Sequence, residues 1–359
     1  MTTLENIIIE LTKNPKTRPI DENALDFGSV FSDHMFIMEY AQGKGWHSPR
    51  IVPYGPIPLE PAAMCLHYGQ EVFEGMKAYR AEDGTINLFR PDENFKRLNL
   101  SNDRLCIPEV DVDFCIEATK KLVEVDKDWV PSAPNTSLYL RPFIFCHEPN
   151  LGVKAGDQYL FVIIASPSGP YYKEGLNPVK IYVENTYVRT VKGGTGMAKT
   201  GGNYASSLKA GVEAHDQGYS QVLWLDGIEN QYIEEVGAMN IFFRIGDEVI
   251  TPELSGSILG GITRKSVVAL LQKDGYKVSE RRISISEVEE AHKNGQLKEV
   301  FGTGTAAVIS PVGILKYNDN VMEINNQEIG ELSQYLYDTL TGIQWGKTAG
   351  PEGWVVKVC

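Results

Sequence analysis

The sequence predicts an α+β protein of two domains. Three observations carry that expectation. The chain has 359 residues, enough for two domains sharing a cleft. Strand-like and helix-like segments succeed one another without the strict strand–helix–strand alternation of a parallel α/β fold. The stretch SPSGPYYKEGLNP (166–178) breaks the pattern, since it follows an apolar strand, carries proline and glycine, and precedes a new strand, KIYVENTYVR. The expected division is a small domain over 1–170, an interdomain loop over 171–179 and a larger domain over 180–359.

Taken in order, residues 28–42 (GSVFSDHMFIMEYAQ) alternate as a strand does. The proline-rich 53–61 is a loop, and 62–73 (AAMCLHYGQEVF) returns to helix-compatible composition. MKAYR, Gly84 and INLFR suggest a hairpin. PDENFKRLNLSNDRL follows a helical period with Asp92 as a candidate N-cap, and DVDFCIEATKKLVEVD is a second amphipathic helix. SLYLRPFIFC and QYLFVIIASP are apolar strands. The second half mixes strands (SQVLWLDG, NIFFRIG, EVITP) with a helix capped by Asn203 and another over 263–274.

Composition narrows the function. Lys and Arg number 34 against 47 Asp and Glu, a net charge of −13, and a nucleic-acid partner needs a basic face instead. Five cysteines with no CxxC pair argue against a structural zinc site or a disulfide framework and fit a reducing cytoplasm. The N-terminus does not read as a secretory signal, and no window approaches the length of apolar sequence that spans a membrane. No metal is expected.

The most unusual segment is VKGGTGMAKTGGNYASSLKAG (191–211), where glycines bracket Lys199 at an expected strand end. Such an amine either condenses with an aldehyde or neutralises a phosphate. GGTGMAKT approaches the phosphate-loop pattern GxxxxGK[ST], but Ala198 stands where that loop needs glycine. A solvated loop lysine is the third possibility. Tyr204 lies five residues on and can reach the same pocket. Glu234 and Glu235, if on a strand, point to opposite faces, one into a pocket and one to solvent; an inward carboxylate would keep a pyridine nitrogen protonated. Gly260, Gly261, Ile262 and Thr263 sit where a helix begins, and Gly302–Ala306 (GTGTA) forms a turn after an apolar strand. Both offer backbone N–H groups to an anion.

Together, FGSVFSDHMF, LHYGQEVFEGMKAYR, SLYLRPF, GPYY, YVRTVKGGTG, AKTGGNYASSL, EEVGAMNIFF, GGITRKS, GTGTAAV and TLTGIQWG resemble, in order and over nearly the whole chain, the branched-chain aminotransferases. These are fold-type IV enzymes dependent on pyridoxal 5′-phosphate (PLP), with a smaller N-terminal α/β domain and a larger C-terminal domain of mixed sheet, pseudo-barrel and helices. The resemblance implies that Lys199 carries the cofactor and shuttles the proton, while Tyr204 bonds the ring oxygen and Glu235 the pyridine nitrogen. By the same resemblance Arg97, Gly261, Ile262, Thr263 and Thr305 hold the phosphate, and Arg189 lies beside the cofactor. Phe27, Tyr68, Phe73, Tyr139 and Tyr171 match an aromatic substrate wall, Arg141 the arginine for glutamate's distal carboxylate, and Thr305–Ala306 the seat of the substrate carboxylate. It further implies a homodimer acting on leucine, isoleucine or valine with 2-oxoglutarate and glutamate. D-Amino acid aminotransferases and aminodeoxychorismate lyases share the lysine-to-glutamate layout. Two positions depart from some members of the family. Ala307 and Ser310 replace a CxxC pair, and Ala238 replaces a threonine.

Overall fold

The computed structural model describes residues 7–169 and 176–359. Among them the chain forms two compact units, the first from 7–169, 198–201 and 342–359, the second from 176–197 and 202–341. Tyr171 and the first part of the expected interdomain loop lie outside the described residues.

The first unit carries β1 (Ile8–Ile9), β2 (His34–Ala41), β3 (Gly45–Pro53), β4 (Glu71–Phe73), β5 (Met76–Arg80), β6 (Ile86–Phe89), β7 (Ser137–Cys146) and β8 (Gln158–Ser168). Its helices are α1 (Met64–Tyr68), α2 (Pro91–Arg104) and α3 (Val112–Val125). The second unit carries β9 (Val179–Glu184), β10 (Gln221–Leu225), β11 (Ile233–Val236), β12 (Asn240–Ile245), β13 (Glu248–Thr251), β14 (Lys277–Glu280), β15 (Leu297–Gly304), β16 (Val308–Tyr317) and β17 (Asn320–Glu323). Between them in sequence run α4 (Gly201–Ala205), α5 (Leu208–Asp216), α6 (Ile262–Lys273), α7 (Ile285–Lys293) and α8 (Glu331–Gln344), and the chain closes with β18 (Val355–Lys357).

The first sheet has nine strands in the order β1-β3-β2-β8-β7-β5-β6-β18, with β4 also on β7. Alternation along β2 sorts its side chains between two cores. Phe36 and Met38 join α2 and α3 residues such as Phe95, Leu98, Phe114 and Leu122, whereas Met35 and Ile37 pack with Phe145 and Val162 on the other face. Helix α3 starts where Asp111 accepts the Phe114 N–H at 2.8 Å, a cap worth ~1 kcal/mol. β18 pairs antiparallel with β6, and the Ile86 N–H reaches the Cys359 carbonyl at 3.0 Å. Residues 342–359 thus belong with the first unit, not with the 180–359 stretch to which the sequence pattern assigned them.

The second sheet is also nine-stranded and mixed, in the order β11-β10-β9-β16-β15-β12-β13-β14, with β17 on β16. β9 lies parallel to both β10 and β16, and Ile181, Val183, Leu223, Ile241 and Leu315 are among its fully buried core.

Three local expectations fail for identifiable reasons. The helix expected over 62–73 stops after five residues, because Gly69 turns left-handed at φ +60° and its N–H caps the Cys65 carbonyl; β4 follows. Asp92 is not the cap of α2, since Pro91 takes the first helical position behind a left-handed Arg90, and Asp92 pairs with Lys96 at 2.7 Å. Asn203 does not stand at a helix start. It sits inside α4, where it accepts from the Thr195 hydroxyl at 2.7 Å and donates to the Thr195 carbonyl at 2.9 Å.

Candidate active site

Lys199 follows a run of turns and stands two residues before the start of α4. It is therefore not at a strand end, and the five-residue α4 gives no phosphate-loop context. Its main chain is fixed on both sides within the first unit. The Lys199 N–H donates to the Ser101 hydroxyl at 2.9 Å, and its carbonyl accepts the Phe73 N–H at 2.9 Å. Ser101 in turn donates to the Arg97 carbonyl one turn earlier on α2, at 3.1 Å. The Thr200 hydroxyl donates to the Glu71 carbonyl at 2.7 Å, and the Gly201 N–H to the Glu71 carboxylate. Burial pushes the Glu71 carboxyl up, while the Gly201 bond and the nearby Arg141 charge pull it down. These bonds hold the lysine stem while its half-buried side chain extends, with Nζ 4.9 Å from the centre of the Phe73 ring.

Most of the expected aromatic wall gathers around Arg141. Its guanidinium lies 4.7 Å from the Phe73 ring centre and donates to the Tyr139 hydroxyl at 3.0 Å. Phe27, half exposed, meets Tyr139 edge-on at 4.7 Å. The Arg141 Nε is buried with no hydrogen-bond partner among the described residues. A Cβ on Gly75 would run into the Tyr139 hydroxyl, which would have to move. Tyr68 stands apart from this group and donates to the Leu151 carbonyl. Arg97 is buried and forms a two-pronged ion pair with Glu74, both contacts at 2.7 Å.

Within the second unit a carboxylate is buried against a guanidinium. Glu235 is 2% exposed; it pairs with Arg189 Nε at 2.7 Å and accepts the Leu259 N–H at 2.9 Å. Arg189 also donates to the Ser257 carbonyl at 3.1 Å. Asn240 donates to the Leu259 carbonyl at 2.9 Å and, at 3.5 Å, to Glu235. Two residues past Leu259, Gly261 opens α6 with no side-chain cap, and Ile262 and Thr263 take the first helical positions. A Cβ on Gly261 would strike the Asn240 side chain. Glu235 and this helix start are thus one construction. Thr305 and Ala306 form the half-buried turn of the β15–β16 hairpin, and Tyr204 lies half-buried on α4.

Glu234 corrects the expectation that the other carboxylate meets solvent. Both faces of β11 are covered, and Glu234 is 6% exposed. It accepts from the Ser257 hydroxyl, its second oxygen is buried without a partner among the described residues, and burial pushes its carboxyl up to about 7. It helps line a cavity of about 270 Å³ with Lys192, Tyr232 and Arg282.

Sequence reasoning missed Glu71, Glu74, Ser101, Asn240 and Ser257. Only Ser101 carried a local signal, being four residues beyond Arg97 and so on the same face of a helix.

The chain matches the family described as amino-transferase class IV over residues 71–314. It is 60% identical over 356 residues to branched-chain-amino-acid aminotransferase 2 of Bacillus subtilis (strain 168), spanning 99% of this chain and 98% of that one. The crystal structure of an Escherichia coli branched-chain amino acid aminotransferase superposes with a TM-score of 0.76 at 28% identity, covering 90% of this chain and 99% of that chain. The T.th. branched-chain amino acid aminotransferase complexed with N-(5′-phosphopyridoxyl)-L-glutamate gives 0.72 at 26% identity, covering 90% and 98%. The chain belongs to the class IV amino-transferases and, among them, to the branched-chain-amino-acid aminotransferase family.

Proposed function

We propose that this chain transfers the amino group of leucine, isoleucine or valine to 2-oxoglutarate, with PLP as cofactor. The residues present fit that group. They supply an amine, a buried carboxylate–guanidinium pair and an uncapped helix start; in addition, the buried Thr303 hydroxyl, across the ladder from Asn240, lacks a partner among the described residues. Lys199 would hold the cofactor's aldehyde carbon, Tyr204 its ring oxygen and Glu235 its ring nitrogen, with Arg189 beside the ring. Arg97, Gly261, Ile262, Thr263 and Thr305 would hold its phosphate. When bound, the cofactor supplies a ring that takes up the charge left as the α-proton departs.

The observation that carries the reading is Lys199 itself, clamped through both its N–H and its carbonyl while its amine stays extended beside Phe73. Its Nζ would take the proton from the substrate's α-carbon and later return it. Phe27, Phe73 and Tyr139 would exclude water from an apolar side chain, and the Arg141 Nε would meet the second carboxylate of glutamate. Thr305 and Ala306 would seat the α-carboxylate. Tyr68 and Tyr171 stay in the proposal on the family resemblance alone, as do a homodimer and a cytoplasmic location.

Incubating the purified protein with leucine and 2-oxoglutarate should yield glutamate, and adding leucine should change the cofactor's absorbance. Absence of both sinks the proposal.

A further inference from the structure

We propose that Glu74 is a positioning residue that gives the cofactor site its preference for a phosphorylated ligand, by fixing the plane of the Arg97 guanidinium. The inference rests on the reading of Arg97 as a phosphate ligand.

Glu74 has no exposed surface. Its carboxylate receives Arg97 Nε on one oxygen and Arg97 Nη2 on the other, each at 2.7 Å. The second oxygen also accepts the Asn94 side-chain amide at 2.7 Å and the Gly75 N–H at 3.1 Å. Asn94 stands one turn before Arg97 on α2 and bonds the Gly75 carbonyl at 3.1 Å as well. The Glu74 N–H is held by the Pro142 carbonyl at 2.7 Å. Four donors and a pinned main chain leave the carboxylate no rotation. The parallel fork passes that rigidity to the guanidinium, which on its own would sample several rotamers.

Two effects of Glu74 on a bound anion oppose each other. Its negative charge weakens the attraction of Arg97 for phosphate. Its geometry presents the guanidinium in one orientation and removes an ordering cost from binding. The pair is buried and bidentate, and there geometry outweighs charge, because a misdirected guanidinium loses directional charge-assisted bonds. Glu74→Gln sets the two effects against each other, and the sign of the change shows which prevails. It removes the charge, but it also sets an amide N–H₂ against an arginine N–H and breaks the fork.

The test is the ratio of the dissociation constants for pyridoxal and for PLP, measured by absorbance titration of the full chain stripped of cofactor. A purely structural role would weaken both ligands alike. E74Q should lower the ratio ~10-fold, the size of one charge-assisted bond, with pyridoxal affinity within about twofold of wild type. An unchanged or raised ratio overturns the proposal. Asn94→Ala, which takes one donor from Glu74 and leaves the fork's atoms in place, should lower the ratio ~3-fold; it carries the test if E74Q does not fold, and an unchanged ratio in it also overturns the proposal. Arg97→Lys separates this inference from the function it rests on. If R97K keeps the wild-type ratio, the phosphate assignment of Arg97 fails. If R97K loses the ratio while E74Q keeps it, only the role of Glu74 fails.

Discussion

Glu234 and Glu235 are neighbours on one strand, yet the first accepts from a serine hydroxyl and the second from a guanidinium 2.7 Å away. Burial, opposed by the Ser257 bond and reinforced by the Glu235 charge, lifts the Glu234 carboxyl to about 7. Its folded value therefore lies above its unfolded one, so the native state binds the proton more tightly. Stability from this group is complete below the unfolded carboxylate range and is lost as pH rises through about 7. Glu234→Gln, which cannot ionise, should gain on wild type as pH rises. The melting-temperature difference, variant minus wild type, should grow by about 2 °C between pH 4 and pH 8. A difference that stays flat in scanning calorimetry would reject the assignment.

Lys199→Ala should abolish transamination while circular dichroism stays native, because the clamps on this residue are main-chain bonds that alanine retains. Ser101→Ala removes the acceptor of the Lys199 N–H and should cost ~1–3 kcal/mol in denaturant unfolding, together with a fall in kcat. Retained turnover in the lysine variant removes the basis of the mechanism.

Arg189→Met takes the guanidinium from a carboxylate that is 2% exposed. Breaking a buried pair on one side costs ~3–5 kcal/mol. Urea unfolding should show a loss of that size and cofactor titration a weaker affinity; a midpoint equal to that of wild type would contradict the burial of the pair.

Gly261→Ala and Gly202→Ala make a matched pair. A Cβ at 261 strikes the Asn240 side chain, whereas one at 202 has nothing within 4 Å. The first should destabilise by ~1–3 kcal/mol through overpacking and weaken cofactor binding; the second should be near neutral. Equal melting temperatures for the two would count against the packing of α6 on Asn240.

Arg141→Met should discriminate between the two substrates. Arg141 is tied to Tyr139 and has a buried Nε without a partner among the described residues. The KM for 2-oxoglutarate should rise ~10-fold or more, the order of one charged hydrogen bond, with that for leucine little changed. Steady-state kinetics in which both KM values rise together would point to a general disturbance of the pocket.

Local chemistry made much of this architecture legible. The MKAYR–INLFR hairpin, α3 and the start of α6 stand where turn residues and periodicity put them. What could not be read depends on partners distant in sequence. Gly69 ends α1 in a conformation that its neighbours do not announce. Glu234 looks like a solvent residue until Ser257 and the covering loop are placed over it. The anchoring of Lys199 rests on Ser101, some hundred residues earlier. The family's motifs pointed to Lys199, Arg97 and Glu235 without revealing the residues that hold them.

The pairing of β18 with β6 has a consequence for how the molecule is made. Strand β6 ends at Phe89, and its edge partner starts at Val355. While the residues between them are being translated, the growing polypeptide therefore presents an uncovered strand edge, the kind of surface on which nascent chains aggregate. Only when the β18 residues leave the ribosome does β6 gain that neighbour, so a premature stop just before Val355 would spare every proposed catalytic group and leave β6 as the edge of the sheet.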